Sequence, residues 1–344
     1  MTPPIQCREY GHMPDGRLVH EYTLDNGAGL RLKAISYGGI VTALELPAAR
    51  GDVANVVLGF DNLDDYVERN PHFGIIVGRY GNRIAGGRFM LDGQARQLSL
   101  NDGHHCLHGG ERGFGRRLWT AEIEQDAVLK LSYVSEDGEE GFPGRLEATV
   151  RYSLGPDRSW RIDYEPRCDR PTVVNLTHHD YFNLAGAGSV LSHRLQIAAR
   201  RYTEVDAQLI PTAIAEVAGT PFDFRAPTVI ESRLRQPHPQ LQRAKGYDHN
   251  WLLDHPFDGG LHPAARLEDP QSGRAMEITT TEPALQFYSG NFLDGSLRGS
   301  GGQLYRQGDG LCLETQHSPD SPNRPVDQDW PSTVLRPGQR YRSS

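Results

Sequence analysis

The sequence predicts an all-β protein, one large antiparallel β-sandwich with few short helices. Apolar and polar residues alternate along many short segments, and successive side chains of a strand point to opposite faces. Turn-forming residues are dense, with 38 glycines and 23 prolines among 344 residues. No linker-like stretch or change of composition divides the chain. Because all-β folds often exceed the usual domain length of about 150 residues, we expect residues 1–344 to form a single domain.

The N-terminal part of the chain predicts a hairpin followed by short strands. Asn26-Gly27 stands between two apolar runs, and this dipeptide is typical of the tight turn in a β-hairpin. A short helix is predicted over 61–68, with Asp61 as its N-terminal cap. The strands predicted in this part cover residues 18–24, 30–37, 40–46, 53–59 and 73–77.

The strongest β signal lies between residues 117 and 165. Trp119, Ala121 and Ile123 alternate with polar residues, and three further segments repeat the pattern as far as Tyr164. Four successive amphipathic strands with turn connections indicate an antiparallel meander. The strands predicted after this meander cover residues 194–198, 250–253, 276–280, 284–288 and 311–314.

Charge and cysteine content exclude several classes of function. The formal net charge of −8 disfavours nucleic acids and anionic membranes as partners, because both require a basic surface. No apolar run approaches the roughly 20 residues of a membrane-spanning helix, and the first residues lack the apolar stretch of a secretory signal. The four cysteines have no regular spacing, which indicates reduced thiols and a cytoplasmic protein.

Polar residues at the ends of apolar strands mark the candidate chemistry. Glu314 ends one such strand, where burial would raise its pKa towards the range of a general base; spacing alone favours a solvated glutamate instead. His104, Cys106 and His108 could share one strand face and bind a metal, and the alternative is a loop with hydrogen-bonded histidines. The His-His-Asp sequence at 178–180 cannot bind one ion, because neighbouring strand residues point to opposite faces.

Nine segments of the sequence, taken together, resemble the aldose 1-epimerases, the galactose mutarotase family. One match would carry little weight, but nine matches in the same order cover most of the chain. The segments are GRYGNRIAGGRF (78–89), LHGGERGFGRRLW (107–119), DGEEGFPG (137–144), VNLTHHDYFNLAG (174–186), QLIPT (208–212), VAGTPFDFR (217–225), GYDHNW (246–251), LQFYSGNFLDG (285–295) and LCLETQHSPDSPN (311–323).

The resemblance implies a galactose mutarotase-like β-supersandwich that opens and closes a pyranose ring. Such a protein interconverts α and β anomers with no metal and no cofactor. Carried over by motif, the resemblance makes Glu314 the general base and His179 the general acid. His108 would contact the sugar near the reacting centre. The residues that would hold sugar hydroxyls are Asn82, Arg83, Asp248 and Gln286.

Asp180 departs from the family pattern, which more often has serine at this position. A carboxylate beside His179 would raise the pKa of that histidine if it faced the site. Strand alternation predicts that Asp180 points away from the site.

The resemblance implies an isomerase whose partner is a small monosaccharide, an aldose 1-epimerase for free aldohexoses such as galactose or glucose. The alternatives are a hexose-phosphate mutarotase, a non-catalytic sugar-binding or sensor protein of the same fold, and a metal-dependent enzyme built on His104, Cys106 and His108. We expect no nucleic acid and no membrane as a partner. We expect a monomer or weak dimer in the cytoplasm.

Overall fold

A computed structural model describes residues 5–48, 51–124 and 127–344, and most of its regular structure is β-strand. The predicted all-β class is confirmed. The described residues contain three short helices, α1 (Leu63–Arg69), α2 (Glu231–Leu234) and α3 (Pro239–Ala244). Across these ranges, no helix has the length and apolar character that crossing a bilayer would take.

The strands are short and follow one another through turns. In the first half of the chain they are β1 (Gln6–His12), β2 (Leu18–Asp25), β3 (Arg31–Ile35), β4 (Val41–Pro47), β5 (Val53–Asn55), β6 (Ile75–Val77), β7 (Arg83–Ile84), β8 (Arg88–Leu91), β9 (Gln94–Gln97), β10 (Cys106–Leu107), β11 (Thr120–Glu124), β12 (Val128–Ser135), β13 (Leu146–Leu154), β14 (Trp160–Tyr164) and β15 (Arg167–Cys168). In the second half they are β16 (Thr172–Val173), β17 (Thr177–His179), β18 (Arg194–Ile197), β19 (Arg201–Val205), β20 (Pro211–Glu216), β21 (Thr228–Val229), β22 (Asp248–Leu252), β23 (His262–Glu268), β24 (Ala275–Thr280), β25 (Ala284–Tyr288), β26 (Asp294–Arg298), β27 (Leu304–Arg306), β28 (Cys312–Gln316) and β29 (Val334–Leu335).

Four larger sheets organise these strands, and neighbours within each sheet run antiparallel. The first contains β1 to β5 in chain order, and the second contains β11 to β14 in chain order with β15 paired to β13. The third has the order β21-β18-β23-β24, and the fourth has the order β20-β19-β22-β25-β28. The second sheet is the predicted meander, which is thereby confirmed.

The hairpin between β2 and β3 turns at Asn26-Gly27, as predicted. Gly27 has a φ of +68°, in the left-handed region that glycine adopts without steric cost. The Asn26 N–H donates to the Leu30 carbonyl at 3.1 Å and closes the loop.

The first helix begins later than predicted. It covers Leu63–Arg69 instead of 61–68, and its cap is Asn62 instead of Asp61. The Asn62 side-chain oxygen accepts a hydrogen bond from the Asp65 N–H at 2.9 Å, which satisfies one of the free amides of the first turn.

The strand predicted over 53–59 ends early, at Asn55. The Asn55 side-chain oxygen accepts hydrogen bonds from the N–H groups of Leu44 at 2.9 Å and of Val57 at 3.2 Å. A side chain that takes over backbone amides in this way competes with the regular ladder of a sheet.

The main apolar core draws side chains from all four larger sheets. Leu32, Val150, Leu195 and Phe287 come from the first, second, third and fourth sheet respectively, and all are fully buried. One core shared by all four sheets is what a single domain requires. The single-domain organisation stays a prediction.

Candidate active site

The floor of the site is the strand triplet β22, β25 and β28 of the fourth sheet. Their register places Asn250 opposite Gln286 and Gln286 opposite Glu314. Because paired residues project to the same face of a sheet, these three polar side chains form a row. Phe287 and Leu313 project to the other face and belong to the main apolar core.

Glu314 lies at the end of this row and is only 2% exposed. The alternative of a solvated strand-end glutamate is therefore wrong. Burial raises the pKa of the Glu314 carboxyl well above its usual value, and nearby Asp248 acts in the same direction. The carboxyl is consequently a stronger base than an exposed glutamate.

His179 reaches the same site from β17, a strand that pairs with β6. Its Nε2 lies 3.7 Å from Oε1 of Glu314, and its Nδ1 lies 3.5 Å from Sγ of Cys312. The Tyr181 ring stacks on the imidazole with 5.2 Å between ring centroids. Burial lowers the pKa of His179 well below its usual value.

His178 and Asp180 point away from the site, as strand alternation predicts for Asp180. The His178 Nδ1 lies 2.6 Å from a carboxylate oxygen of Asp180, and its Nε2 lies 2.8 Å from the hydroxyl of Tyr152. Both His178 and Asp180 are buried. The unusual carboxylate therefore serves a packed polar network behind β17.

Asn82 and His108 hold each other in place at the edge of the site. Both have positive φ, +62° and +50°, a region that residues other than glycine seldom adopt. The Asn82 N–H donates to Nδ1 of His108 at 3.2 Å, and the His108 N–H donates to the Asn82 carbonyl at 3.1 Å. Because Nδ1 accepts a hydrogen bond, the neutral ring carries its proton on Nε2. His108 therefore keeps one N–H donor for another partner.

Arg83 and Asp248 bring opposite charges to the site. Arg83 is 9% exposed, and its Nε donates to a carboxylate oxygen of Asp102 at 2.7 Å. Burial raises the pKa of Asp248, and the Arg83 charge partly opposes this effect. The Gln286 Nε2 donates to Asp248 Oδ1 at 2.7 Å, which fixes the orientation of both side chains.

The row on the floor carries three buried oxygen atoms that have no hydrogen-bond partner among the described residues. They are Oδ1 of Asn250, Oε1 of Gln286 and Oε2 of Glu314. A buried acceptor without a partner is costly, so such atoms point to a missing donor. Hydroxyl groups of a sugar are donors of the required kind.

A metal site at this position conflicts with the hydrogen bonds of His108. One nitrogen each of His108 and His179 and one oxygen of Glu314 lie within 4.8 Å of one another, the only such group among the described His, Cys, Asp and Glu side chains. Binding a metal through the free nitrogen of His108 would require its proton to leave and the Asn82 hydrogen bond to be rearranged. The site residues are therefore better suited to hydrogen bonding.

Among the described residues, His104, Cys106 and His108 do not come together as the metal site that the sequence left open as an alternative. β10 covers only two residues, so the alternation that would align the three side chains does not extend to all of them. His104 is exposed, Cys106 packs in a small apolar cluster, and His108 leaves the strand at its positive φ.

All seven predicted site residues are linked through contacts around one site. Three further residues were missed: Asn250, Cys312 and His72, whose ring centroid lies 4.9 Å from that of His108 and 5.5 Å from that of His179. Asn250 and Cys312 lie two residues from Asp248 and Glu314, so strand periodicity could have identified them. His72 precedes an apolar strand, and no regular pattern in the sequence connects it to the site. Arg83 joins the group through its backbone N–H, which donates to Oδ1 of Asn82 at 2.8 Å. The linked residues are Asn82, Arg83, His108, His179, Asp248, Gln286 and Glu314.

Two surface clefts, of about 390 Å³ and 630 Å³, contain none of these residues. The smaller is lined mainly by charged side chains of the first sheet, such as Arg8 and Glu21, which pair with each other. The larger includes the ion pair between Arg201 and Asp329. Side chains that already neutralise one another have little to offer a reaction, so the candidate site is the cluster around Glu314.

The sequence matches the aldose 1-epimerase family over residues 20–344. The galactose mutarotase of Rattus norvegicus is 42% identical over 335 residues, which is 96% of this chain and 94% of that protein. The aldose 1-epimerase of Escherichia coli is 40% identical over 334 residues, 96% of this chain and 95% of that protein.

Solved structures agree with these sequence matches. The galactose 1-epimerase of Lactobacillus acidophilus superposes with a TM-score of 0.84 at 28% identity and covers 98% of this chain and 96% of that chain. A GalM/aldose epimerase homologue from C. elegans superposes with a TM-score of 0.81 at 29% identity, covering 92% of this chain and 94% of that one. Sequence and fold over almost the whole length thus agree, and the chain belongs to the aldose 1-epimerase family.

Proposed function

We propose that this protein is an aldose 1-epimerase in which Glu314 and His179 interconvert the α and β anomers of free aldohexoses such as galactose or glucose. The supporting observation is the buried pair itself. A carboxylate oxygen of Glu314 lies 3.7 Å from Nε2 of His179, beside a row of buried acceptors that lack donors. The presence of both groups favours a catalyst over a sugar sensor without turnover.

The reaction requires one proton to leave and another to arrive. Glu314 takes the proton from the C1 hydroxyl while His179 delivers a proton to the ring oxygen. The bond between C1 and the ring oxygen breaks, and a carbonyl forms at C1. After rotation about the C1–C2 bond, the hydroxyl at C5 attacks the other face of the carbonyl. His179 then recovers its proton and Glu314 returns the proton that it took, so both groups end as they began.

Burial opposes the two charged forms that the reaction uses, and the proximity of the two groups favours them. Burial raises the pKa of Glu314 and lowers the pKa of His179, so each charged form is less favoured than in water. At 3.7 Å the two charges stabilise each other when both are present. Proton transfer by one positioned group typically contributes about 10²–10⁴-fold to the rate.

The remaining site residues orient the sugar. Asp248 and the oxygens of Gln286 and Asn250 accept hydrogen bonds from hydroxyl groups, whereas Arg83 and His108 donate. Hydrogen bonds to charged groups are stronger than neutral ones, and a fixed orientation raises the effective concentration of acid and base at the reacting atoms. A polyol, which both donates and accepts at every hydroxyl, fits this mixture of groups.

A hexose phosphate is the second candidate substrate. Arg116 lies in the short helical turn Phe114–Arg116, which contacts β6, the strand that pairs with β17 and its His179. The positive charge of Arg116 also helps to lower the pKa of His72, after the larger effect of burial. Arg116 is exposed and forms no salt bridge with the described residues. An unpaired guanidinium at the rim is a group to which a phosphate binds well.

We also infer a cytoplasmic protein that acts as a monomer or weak dimer, without nucleic acid or membrane partners. The four cysteines are free thiols, which supports a reducing compartment. Sedimentation at several protein concentrations tests the oligomeric state.

Polarimetry of freshly dissolved α-sugars tests the proposed function. We expect catalytic amounts of protein to accelerate the decay of optical rotation of D-galactose or D-glucose, and Glu314→Gln to lower the catalysed rate by about 10²–10⁴-fold. Glu277→Gln, a neutralised glutamate on the surface, is the matched control and should retain the rate. Activity confined to glucose 6-phosphate or galactose 6-phosphate would select the second candidate. An unchanged rate in Glu314→Gln would show that the base is another group.

A further inference from the structure

His72 lies at the site on a strained backbone. Its φ is +80°, a conformation that a residue with a Cβ adopts at an energetic cost. Such strained residues concentrate at functional sites, where the surrounding structure holds them in place. None of the roles assigned above uses this side chain.

The loop around His72 is held by hydrogen bonds on both sides. The Asn70 side chain accepts from the Phe73 N–H at 2.7 Å and donates to the Phe73 carbonyl at 3.2 Å. The Tyr181 hydroxyl donates to the Pro71 carbonyl at 3.1 Å. Since Tyr181 also stacks on His179, one residue positions both the loop and the proposed acid. These hydrogen bonds from Asn70 and Tyr181 therefore fix the position of His72 beside the site.

The His72 ring lies against the rings of His108 and His179, with centroids 4.9 Å and 5.5 Å away. The side chain is half-buried, and its nitrogens form no hydrogen bond with any described residue. Burial lowers the pKa of His72 to about 4, so the ring is neutral near pH 7. A neutral imidazole has one donor and one acceptor nitrogen, and both are available to a ligand.

The position of His72 relative to the proposed acid and base indicates which part of a sugar it meets. Nitrogens of His108 and His179 and an oxygen of Glu314 form a compact set, and His72 is not part of it. It flanks this set beside both histidines, with its ring centroid 4.9 Å from that of His108 and 5.5 Å from that of His179. His179 is the residue that would protonate the ring oxygen. In an aldohexopyranose the ring oxygen is bonded to C5, and C5 carries the hydroxymethyl group. The other carbon bonded to the ring oxygen is C1, whose hydroxyl is assigned to Glu314. The remaining hydroxyl close to the ring oxygen is therefore that of C6.

We propose that His72 is a further substrate-binding residue that hydrogen-bonds the C6 hydroxyl of an aldohexose and thereby favours hexoses over sugars without this group. The proposal rests on the proposed roles of Glu314 and His179, because these roles orient the sugar. It adds a specificity determinant that the sequence motifs do not include.

Three sugars of the same configuration separate the C6 hydroxyl from the rest of the molecule. D-Galactose has the hydroxyl, D-fucose has a methyl group in the same place, and L-arabinose lacks C6 altogether. We expect wild-type protein to process D-galactose with a kcat/KM about three- to tenfold higher than D-fucose, the range of one neutral hydrogen bond. We expect His72→Phe, which keeps a ring but removes both nitrogens, to lower kcat/KM for D-galactose to the level of D-fucose.

The pattern across the three sugars distinguishes the outcomes. For D-fucose, and likewise for L-arabinose, we expect His72→Phe to have the same kcat/KM as the wild type. If His72→Phe lowers kcat/KM equally for all three sugars, His72 has a purely structural role or acts on the acid. If the variant keeps the wild-type preference for D-galactose, His72 does not contact the C6 hydroxyl. Either result overturns the proposal. His12→Phe, at an exposed histidine outside the site, controls for the substitution, and circular dichroism verifies folding. Glu314→Gln separates this proposal from the proposed function. If only the role of His72 is wrong, Glu314→Gln is still inactive on D-galactose. If Glu314 is not the base, Glu314→Gln is active.

Discussion

The Sγ atom of Cys312 lies 3.5 Å from Nδ1 of His179, on the side of the ring opposite to Glu314. Burial raises the pKa of the Cys312 thiol well above its usual value, so the sulfur stays protonated. A thiol that donates to Nδ1 leaves the ring proton of neutral His179 on Nε2, the nitrogen that faces Glu314. Cys312 and Glu314 lie two residues apart on β28, so one face of one strand positions both the base and the partner of the acid.

Replacing Cys312 by alanine is expected to slow mutarotation by about three- to thirtyfold. The loss is the size of one hydrogen bond plus the freedom that the ring regains. Cys312→Ser, whose hydroxyl can donate to the same nitrogen, should recover most of the rate. Polarimetry on D-galactose measures both variants, and their pH profiles reveal whether the acid is affected. If serine and alanine were equally slow, the thiol would contribute only packing.

A bell-shaped pH dependence of kcat/KM is expected for the wild type. The productive form has Glu314 ionised and His179 protonated, and it disappears on both sides of an optimum. Because burial raises the pKa of Glu314 and lowers the pKa of His179, the proton of the free pair rests mostly on Glu314. The apparent pKa of the alkaline limb then reflects mainly the loss of the proton from Glu314, and that of the acidic limb mainly the loss of the proton from His179.

Asp248→Asn tests this order of protonation. Asp248 contributes to the raised pKa of Glu314, so neutralising it should lower that pKa and move the alkaline limb to lower pH. The absolute rate falls as well because Asp248 also binds the sugar in the proposed function, but the position of a limb does not depend on the height of the profile. A shift of the acidic limb instead would indicate that the proton rests on His179 in the free protein.

Asp180→Ala is expected to destabilise the fold without moving the pH limbs. Asp180 lies 2.6 Å from His178 on the face of β17 that points away from the site, and both residues are buried. Removing one partner of a buried pair typically costs about 3–5 kcal/mol because the other group stays behind without compensation. Urea unfolding measures the loss, and the pH profile of mutarotation checks the orientation. A displaced limb would place the carboxylate in contact with the site.

Period-two alternation explains how far the site could be predicted from sequence. It separates His179 from Asp180, and it places Glu314 on the polar face of β28 while Leu313 enters the core. The pattern does not report burial, which depends on what the rest of the chain stacks above a strand. For that reason spacing alone favoured a solvated Glu314.

Loops with positive φ account for what the sequence did not predict. The contact between Asn82 and His108 joins residues 26 positions apart through two left-handed residues, and no local pattern specifies it. His72 is a similar case, because its direction depends on a turn held by Asn70 and Tyr181. Local propensity disfavours such conformations in residues other than glycine, so their positions emerge only from tertiary contacts.

Removal of metal ions should leave the rate of mutarotation unchanged. The His108 Nδ1 accepts a hydrogen bond from the Asn82 N–H, so its other nitrogen carries a proton and serves as a donor rather than as a ligand. Zn²⁺ binding at His108, His179 and Glu314 would have to displace that proton and would also neutralise the proposed base. We therefore expect dialysis against EDTA to have no effect on polarimetric rates, and added Zn²⁺ to inhibit in competition with the sugar. If dialysis abolished the activity and added Zn²⁺ restored it, the reaction would be metal-dependent. Glu314 would then have a different role.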